Sequence, residues 1–188
     1  MKPIPSKKFG SKLVLGSVAC VALIAALEGG RQLDGSSVAY ADKLAGGRPT
    51  VCEGLTSAMT RTPIIVGERW SRAKCDAEVG AAVIRLQLKL EQCFVLAPPQ
   101  TVFDAATSFG WNIGAASACA SVAMQNWRRG NWLAGCERMA RDITGKRVWS
   151  YVKTGKILPN GKPEYRFILG IANRRDKEVA YCMKGVRE

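Results

Sequence analysis

The chain has 188 residues, a formal net charge of +13 and no histidine. Its length fits one domain, or one domain with two lobes, together with a targeting segment. Without histidine, Ser-His-Asp and Cys-His nucleophile systems are impossible and zinc amidase or peptidase sites are disfavoured, whereas chemistry by paired carboxylates stays open. We therefore expect no metal and no cofactor.

The basic charge favours an anionic partner, which could be nucleic acid, a membrane or an anionic polymer such as bacterial cell wall. A soluble basic protein without a specific polyanionic partner explains the charge equally well. Aromatic residues are not interleaved with the basic ones, and the sequence contains no nucleic-acid-binding motif. We therefore expect no nucleic-acid partner.

The first 27 residues have the composition of an export signal. Four lysines within the first twelve positions precede an uncharged apolar run from Leu13 to Leu27. As a helix this run would span about 22 Å, less than the roughly 30 Å core of a bilayer. We expect residues 13–27 to insert in the inner membrane, tether the protein there and later leave the membrane. A signal peptide cleaved after Ala39-Tyr40-Ala41 and a permanent anchor are the alternatives.

The seven cysteines include no CxxC pair, which disfavours metal and thioredoxin-like sites. In an exported protein we expect the six in the body of the chain to form disulfides, although the sequence alone leaves about fifteen pairings open. The seventh, Cys20, lies inside the apolar run. It is either a small buried residue or a thiol that attacks a disulfide by exchange. The six are Cys52, Cys75, Cys93, Cys119, Cys136 and Cys182.

Downstream of the apolar run, the sequence predicts a small sheet followed by helices. Residues 29–66 are rich in turn formers, and Ser71 is a good N-cap for a long helix that reaches Cys93 and joins two lobes. Other helices are predicted after Pro98-Pro99, over 117–128, over 131–141 and over 164–184, with a loop or hairpin over 145–163. The predicted fold is α+β, with a small β lobe and a mainly helical C-terminal lobe.

Three polar residues near the N-terminus have the chemistry that glycoside hydrolysis needs, namely a protonated acid beside the leaving oxygen and a second carboxylate. Glu28 follows an apolar helix, where partial desolvation raises a carboxyl pKa and suits a general acid. Asp42 lies in a polar loop and should stay ionised, and Thr50 offers a hydroxyl that could orient water. Taken singly, each is more simply a structural or solvated residue.

The motifs around these residues resemble the phage-type lysozymes, glycoside hydrolase family 24, in particular the endolysins with a signal-anchor-release segment. The resemblance implies that Glu28 is the general acid, that Asp42 positions water for an inverting attack and that Thr50 assists it. The gaps of fourteen positions from Glu28 to Asp42 and eight from Asp42 to Thr50 exceed those of the family, so Asp34 is a rival for Asp42. The matching motifs are Glu28-Gly29-x-Arg31, Tyr40-x-Asp42, Gly46-Gly47 and Thr50-Val51-x-x-Gly54.

Downstream motifs extend the resemblance to Cys182. They imply that Asn112 and Arg175 support the substrate cleft, although a buried polar group or a salt bridge is the simpler interpretation of each. The resemblance further implies thiol exchange at Cys20 as a switch, and three disulfide pairings. The motifs are Ser108-Phe109-x-x-Asn112-x-Gly114 and Gly170-x-x-Asn173-Arg174-Arg175-x-x-Glu178. The implied pairings are Cys52–Cys75, Cys93–Cys119 and Cys136–Cys182.

Together these features imply a signal-anchor-release segment over 1–27 and a lysozyme catalytic domain over 28–188. The resemblance implies hydrolysis of the β-1,4 bond between N-acetylmuramic acid and N-acetylglucosamine in peptidoglycan. We expect a monomer exported to the periplasm and tethered at first to the inner membrane. A lytic transglycosylase, which needs one acid and no activated water, is the near alternative. A non-catalytic wall-binding protein is the distant one.

Overall fold

The computed structural model describes residues 4–43 and 46–186. It separates into two compact units, with the division between Gln92 and Cys93. Helices and short antiparallel sheets alternate along the chain, which confirms the predicted α+β class.

The first unit begins with a hairpin and a short apolar helix. Strand β1 (Ile4–Ser6) pairs antiparallel with β2 (Gly10–Leu15), and helix α1 (Val18–Glu28) follows. The apolar run is therefore not one helix, because its first three residues belong to β2. Gly16 turns the chain with a φ of +63°, and Ser17 caps α1 by accepting a hydrogen bond from the Cys20 amide at 3.0 Å. No helix in the described parts of the chain has both the length and the apolar character to cross a bilayer.

The N-terminal segment packs on the next helix, α2 (Arg72–Leu90), through buried polar contacts. The Gly16 amide donates to Gln87 Oε1 at 2.6 Å, and Gln87 Nε2 donates to Cys20 Sγ at 3.5 Å. Ser6 Oγ donates to Glu91 Oε2 at 2.6 Å. Cys20 is thus a buried, hydrogen-bonded thiol in this state, and its exchange with a disulfide stays a prediction.

The predicted small sheet is present between α1 and α2. Three strands form an antiparallel sheet in chain order. Two further strands of two residues each pair antiparallel with each other, and one precedes the three-stranded sheet in sequence while the other follows it. The strands are β3 (Ser37–Val38), β4 (Tyr40–Asp42), β5 (Arg48–Val51), β6 (Leu55–Thr56) and β7 (Arg69–Trp70). Ser71 caps α2 as predicted, accepting a hydrogen bond from the Lys74 amide at 3.2 Å. The helix ends at Leu90, earlier than the predicted Cys93.

The second unit is mainly helical and is built on α3, in which every residue from Val102 to Trp111 is buried. The predicted helix over 117–128 is two helices, because Ser121 caps a new one by accepting from the Met124 amide at 3.1 Å. The predicted helix from 164 begins only at Leu169, since the preceding residues form a strand. The elements are α3 (Gln100–Ile113), α4 (Ala115–Ala120), α5 (Val122–Arg128), α6 (Trp132–Glu137), β8 (Tyr151–Ile157), β9 (Pro163–Phe167) and α7 (Leu169–Lys184).

Three disulfides stabilise the units, and they are the three that the family resemblance implies. Cys52–Cys75 joins the turn after β5 to α2 in the first unit. Cys93–Cys119 and Cys136–Cys182 lie in the second. Each closes a loop of 23 to 46 residues, for which a contribution of about 2–4 kcal/mol is typical.

Candidate active site

Glu28 is the last residue of α1 and is half-buried. Two glycines with positive φ angles, Gly29 at +62° and Gly30 at +90°, turn the chain sharply after it. A Cβ atom on Gly30 would lie 2.3 Å from the carbonyl oxygen of Cys52, a distance that no side chain tolerates. The backbone after Glu28 therefore lies directly against the end of β5, which fixes where α1 ends.

A buried serine forms hydrogen bonds to both of the segments that meet here. The Ser37 hydroxyl donates to the carbonyl oxygen of Gly30 at 2.9 Å and accepts from the Cys52 amide at 2.9 Å. Ser37 has no exposed surface. Ser37 is not among the residues predicted from the sequence, because a serine in a turn-rich segment carries no signal that separates a buried bridge from a solvated turn.

Arg31 makes a second connection between the same segments. Its guanidinium forms ion pairs with Glu53, which is buried, and with Asp76 on α2 at 2.6 Å. Burial alone lowers the pKa of Arg31, but the hydrogen bonds to Glu53 and Asp76 outweigh it and hold that pKa above its ordinary value. The arginine of the Glu-Gly-x-Arg motif thus has a structural role three residues after Glu28.

The register of β4 and β5 places the other two candidates together. Tyr40 pairs with Thr50, and Asp42 pairs with Arg48. Cross-strand partners and residues two apart share a face of a sheet, so Tyr40, Asp42 and Thr50 lie on the same face. Thr50 is 2 % exposed and its hydroxyl donates to the Arg48 carbonyl at 3.0 Å. Toward any other group, the Thr50 oxygen is therefore an acceptor.

Tyr40 lies two residues before Asp42 on β4. Partial burial, followed by the negative charges of Asp42 and Glu28, raises the pKa of the Tyr40 phenol above its ordinary value. The structure thus places Tyr40, Asp42 and Thr50 on one face of the sheet, and the catalytic roles of Glu28, Asp42 and Thr50 stay predictions.

Asp34, the rival for Asp42, has a different environment. Its Oδ1 accepts from the Ser36 amide at 2.8 Å and from the Ser36 hydroxyl at 2.6 Å, and Arg69 lies 3.7 Å from Oδ2. These hydrogen bonds from Ser36, aided by the charge of Arg69, lower the pKa of Asp34. The residue is exposed and stabilises the turn before β3.

A cavity of about 530 Å³ also lies in the first unit, beside α1 and α2. Apolar residues such as Val21 and Val79 line it, together with the Arg31–Glu53 ion pair. None of Glu28, Asp42 and Thr50 lines this cavity, so it is not the site described above. Within residues 4–43 and 46–186, no group of three or more Cys, Asp and Glu side chains is placed to hold a metal ion.

In the second unit, Arg175 is fully buried in a network on α7. Its Nη1 lies 2.8 Å from Glu178 Oε2, and its Nη2 donates to Asn112 Oδ1 at 2.8 Å. Arg174 shares the same carboxylate at 3.0 Å, and Ser108 Oγ donates to it at 2.7 Å. Arg175 thus forms a buried salt bridge, the simpler interpretation given above. Asn112 is exposed but held by Arg175, and support of a cleft by either residue stays a prediction.

A helix that ends on Glu28, a small sheet that carries Asp42 and a helical unit built on a buried helix follow one another in the chain, as they do in lysozymes. The chain belongs to the phage lysozyme family, since the model of that family, described as phage lysozyme, matches residues 31–178. The match includes Asp42 and Thr50 but begins three residues after Glu28. The comparison with curated proteins finds no match.

Solved structures show the same fold. An endolysin from Escherichia coli O157:H7 phage FAHEc1 has a TM-score of 0.70 at 22% identity, covering 89% of this chain and 92% of that one. The muramidase domain of SpmX from Asticaccaulis excentricus gives 0.66 at 21% identity, covering 89% and 97%. A point mutant of P22 lysozyme gives 0.63 at 19% identity, with the same coverages of 89% and 97%.

Replacing Ser37 with alanine should destabilise the first unit and lower activity. The change leaves the Cys52 amide and the Gly30 carbonyl buried without their partner, which costs about 1–3 kcal/mol. Urea unfolding of Ser37→Ala measures this loss, and the exposed Ser57→Ala is the control. An unfolding midpoint equal to that of the control would contradict the bridging role.

Proposed function

We propose that this protein is an exported muramidase that hydrolyses the β-1,4 bond between N-acetylmuramic acid and N-acetylglucosamine in peptidoglycan. The observation that carries the proposal is membership of the phage lysozyme family, and the two carboxyl residues of the first unit, Glu28 at the end of α1 and Asp42 on β4, support it. Glycoside hydrolysis requires such a pair, one residue as acid and one as base. The basic surface would help the enzyme hold an anionic wall polymer.

Glu28 is proposed to donate its proton to the oxygen that leaves. A carboxyl at the C-terminal end of a helix faces the negative end of the helix dipole, which favours the neutral, protonated form. Asp42 is proposed to accept a proton from water as the water oxygen attacks the anomeric carbon from the opposite side. The Thr50 oxygen, whose own proton is directed at the Arg48 carbonyl, would accept the second water hydrogen. One water is consumed, and the anomeric configuration inverts.

Comparison of Asp42→Asn with Asp34→Asn tests the choice of second carboxylate. Asparagine at 42 cannot take the proton from water, so turnover on isolated peptidoglycan should fall by about 10²–10⁴-fold. The same change at Asp34 affects only a turn and should leave turnover within about threefold, a range typical of surface substitutions. A large loss at Asp34 with activity retained at Asp42 would overturn the assignment.

We further propose that residues 1–27 direct export to the periplasm and that residues 13–27 first tether the protein to the inner membrane. The uncharged run supports this proposal, and the contacts of Gly16 and Cys20 with Gln87 belong to the state after release. Membrane fractionation tests it. Full-length protein should sediment with membranes of energised cells and become soluble in the periplasm after depolarisation. Soluble protein before depolarisation would contradict the tether.

A further inference from the structure

The hairpin of β8 and β9 is an exposed element that the proposed reaction does not use. No residue from 151 to 167 is buried. A two-stranded hairpin is only marginally stable by itself, so apolar side chains on it are not explained by a need to build a core. The tip is nonetheless ordered: the Leu158 amide donates to the Lys162 carbonyl at 2.8 Å, and the Gly161 amide donates to the Leu158 carbonyl at 2.9 Å.

The register gathers the apolar side chains on one side. Tyr151 pairs with Phe167, Lys153 with Tyr165, and Ile157 with Pro163. The register shifts between Lys153 and Ile157, but Pro163, Tyr165 and Phe167 alternate along β9 and so share a face with their cross-strand partners. We call this surface the aromatic face. It is defined by Tyr151, Lys153, Ile157, Pro163, Tyr165 and Phe167. The exposed fractions of its aromatic residues and Ile157 run from 39% for Tyr151 to 66% for Ile157, and the Tyr151 and Phe167 rings lie 5.5 Å apart.

The charge of the hairpin is strongly one-sided. Four basic residues and a single acidic one, Glu164, lie within residues 151–167. Glu164 lies between Pro163 and Tyr165 on β9 and therefore on the side away from the aromatic face, where its carboxylate accepts from the Thr154 hydroxyl at 2.6 Å. The basic residues are Lys153, Lys156, Lys162 and Arg166. The hairpin is thus apolar and aromatic on one side and cationic around it.

We propose that the aromatic face and the hairpin tip dock on an anionic phospholipid bilayer. Tyrosine and phenylalanine at headgroup depth, lysines that reach the phosphates and aliphatic side chains at the tip are the composition that such an interface selects. Ile157 and Leu158 decide between lipid and glycan, because sugar recognition uses aromatic stacking and gains little from exposed aliphatic groups at a tip. This second contact with membrane would lie in the helical unit and would be independent of residues 13–27.

Vesicle partitioning of the full-length protein tests the proposal, with vesicles of phosphatidylglycerol and phosphatidylcholine compared with phosphatidylcholine alone. Each lysine at an anionic surface contributes roughly a fivefold increase in binding, so Lys153→Gln with Lys156→Gln should weaken partitioning by about 25-fold. Ile157→Ser with Leu158→Ser should weaken it at least about tenfold, since two aliphatic side chains no longer enter the bilayer. The control pair Lys146→Gln and Lys177→Gln removes the same charge from exposed positions elsewhere.

Hydrogen exchange identifies which segment makes the contact. Residues 151–167 should gain protection from exchange with anionic vesicles and not with neutral ones, whether or not residues 13–27 also gain protection. Unchanged melting curves confirm that the exposed substitutions leave the fold intact. Three results would overturn the proposal. They are an equal loss of vesicle binding in the control pair, a lack of protection of the hairpin, and hairpin variants that lose binding to purified peptidoglycan but keep vesicle binding. Partitioning requires no turnover, so this result is separate from any failure of the muramidase assignment.

Discussion

Replacing Glu28 with glutamine should lower turnover on peptidoglycan by about 10²–10⁴-fold without changing the fold. Glutamine keeps the size and the helix end but has no proton to give to the leaving oxygen. Glu28 is half-buried at the end of α1, so the melting temperature should stay close to that of the wild type. Release of soluble fragments from isolated peptidoglycan measures turnover, and thermal unfolding measures stability.

The Glu28 variant is informative because the match to the family model begins at residue 31. The assignment of Glu28 therefore rests on the Glu28-Gly29-x-Arg31 motif and on its place at the end of α1. Glu137→Gln is a matched control, since it makes the same chemical change at an exposed carboxyl in the second unit. Activity of Glu28→Gln within a factor of about ten of the wild type would remove Glu28 from the acid role.

Replacing Glu178 with glutamine should destabilise the protein by about 3–5 kcal/mol. Glu178 and Arg175 have no exposed surface, and Arg174 is 7% exposed, so two buried guanidinium groups would lose the carboxylate that they share. For a chain of this size, that loss corresponds to a fall in melting temperature of roughly 6–20 °C. Calorimetry or circular dichroism measures the fall directly.

Asp176→Asn supplies the comparison on the same helix. Asp176 also pairs with an arginine, Arg147, at 2.5 Å, but its side chain is 46% exposed. Ion pairs at the surface contribute at most about 1 kcal/mol, so this variant should melt within a few degrees of the wild type. Equal destabilisation by both substitutions would show that burial does not determine how much the ion-pair network on α7 contributes to the stability of the protein.

The sequence predicted those elements whose signals are local. Ser71 is a serine cap before a periodic apolar pattern, and Pro98-Pro99 marks the start of α3, so both were predictable. Leu13–Leu15 were not, because a short apolar run fits a buried strand as well as a helix. Ser121 looked like a residue within a helix, and only its hydrogen bond to the Met124 amide shows that it begins a new one.

The candidate site divides in the same way. Glu28, Asp42 and Thr50 follow from motif order, because the chemistry fixes which residue types are needed. Ser37 could not be predicted, since its role is to bond two buried backbone groups that come together only in the folded chain. Gly30 is similar: its closeness to the Cys52 carbonyl depends on the path of β5 rather than on any neighbour in sequence.

Mass spectrometry of the fragments that wild-type protein releases from isolated peptidoglycan tests the central proposal most directly. Hydrolysis between N-acetylmuramic acid and N-acetylglucosamine predicts fragments that end in reducing N-acetylmuramic acid, each carrying one added water. Ends in 1,6-anhydro-muramic acid would contradict the role of Asp42 and water and would indicate a transglycosylase. Reducing N-acetylglucosamine ends would contradict the choice of bond, and an absence of any released fragment would contradict the enzyme assignment itself.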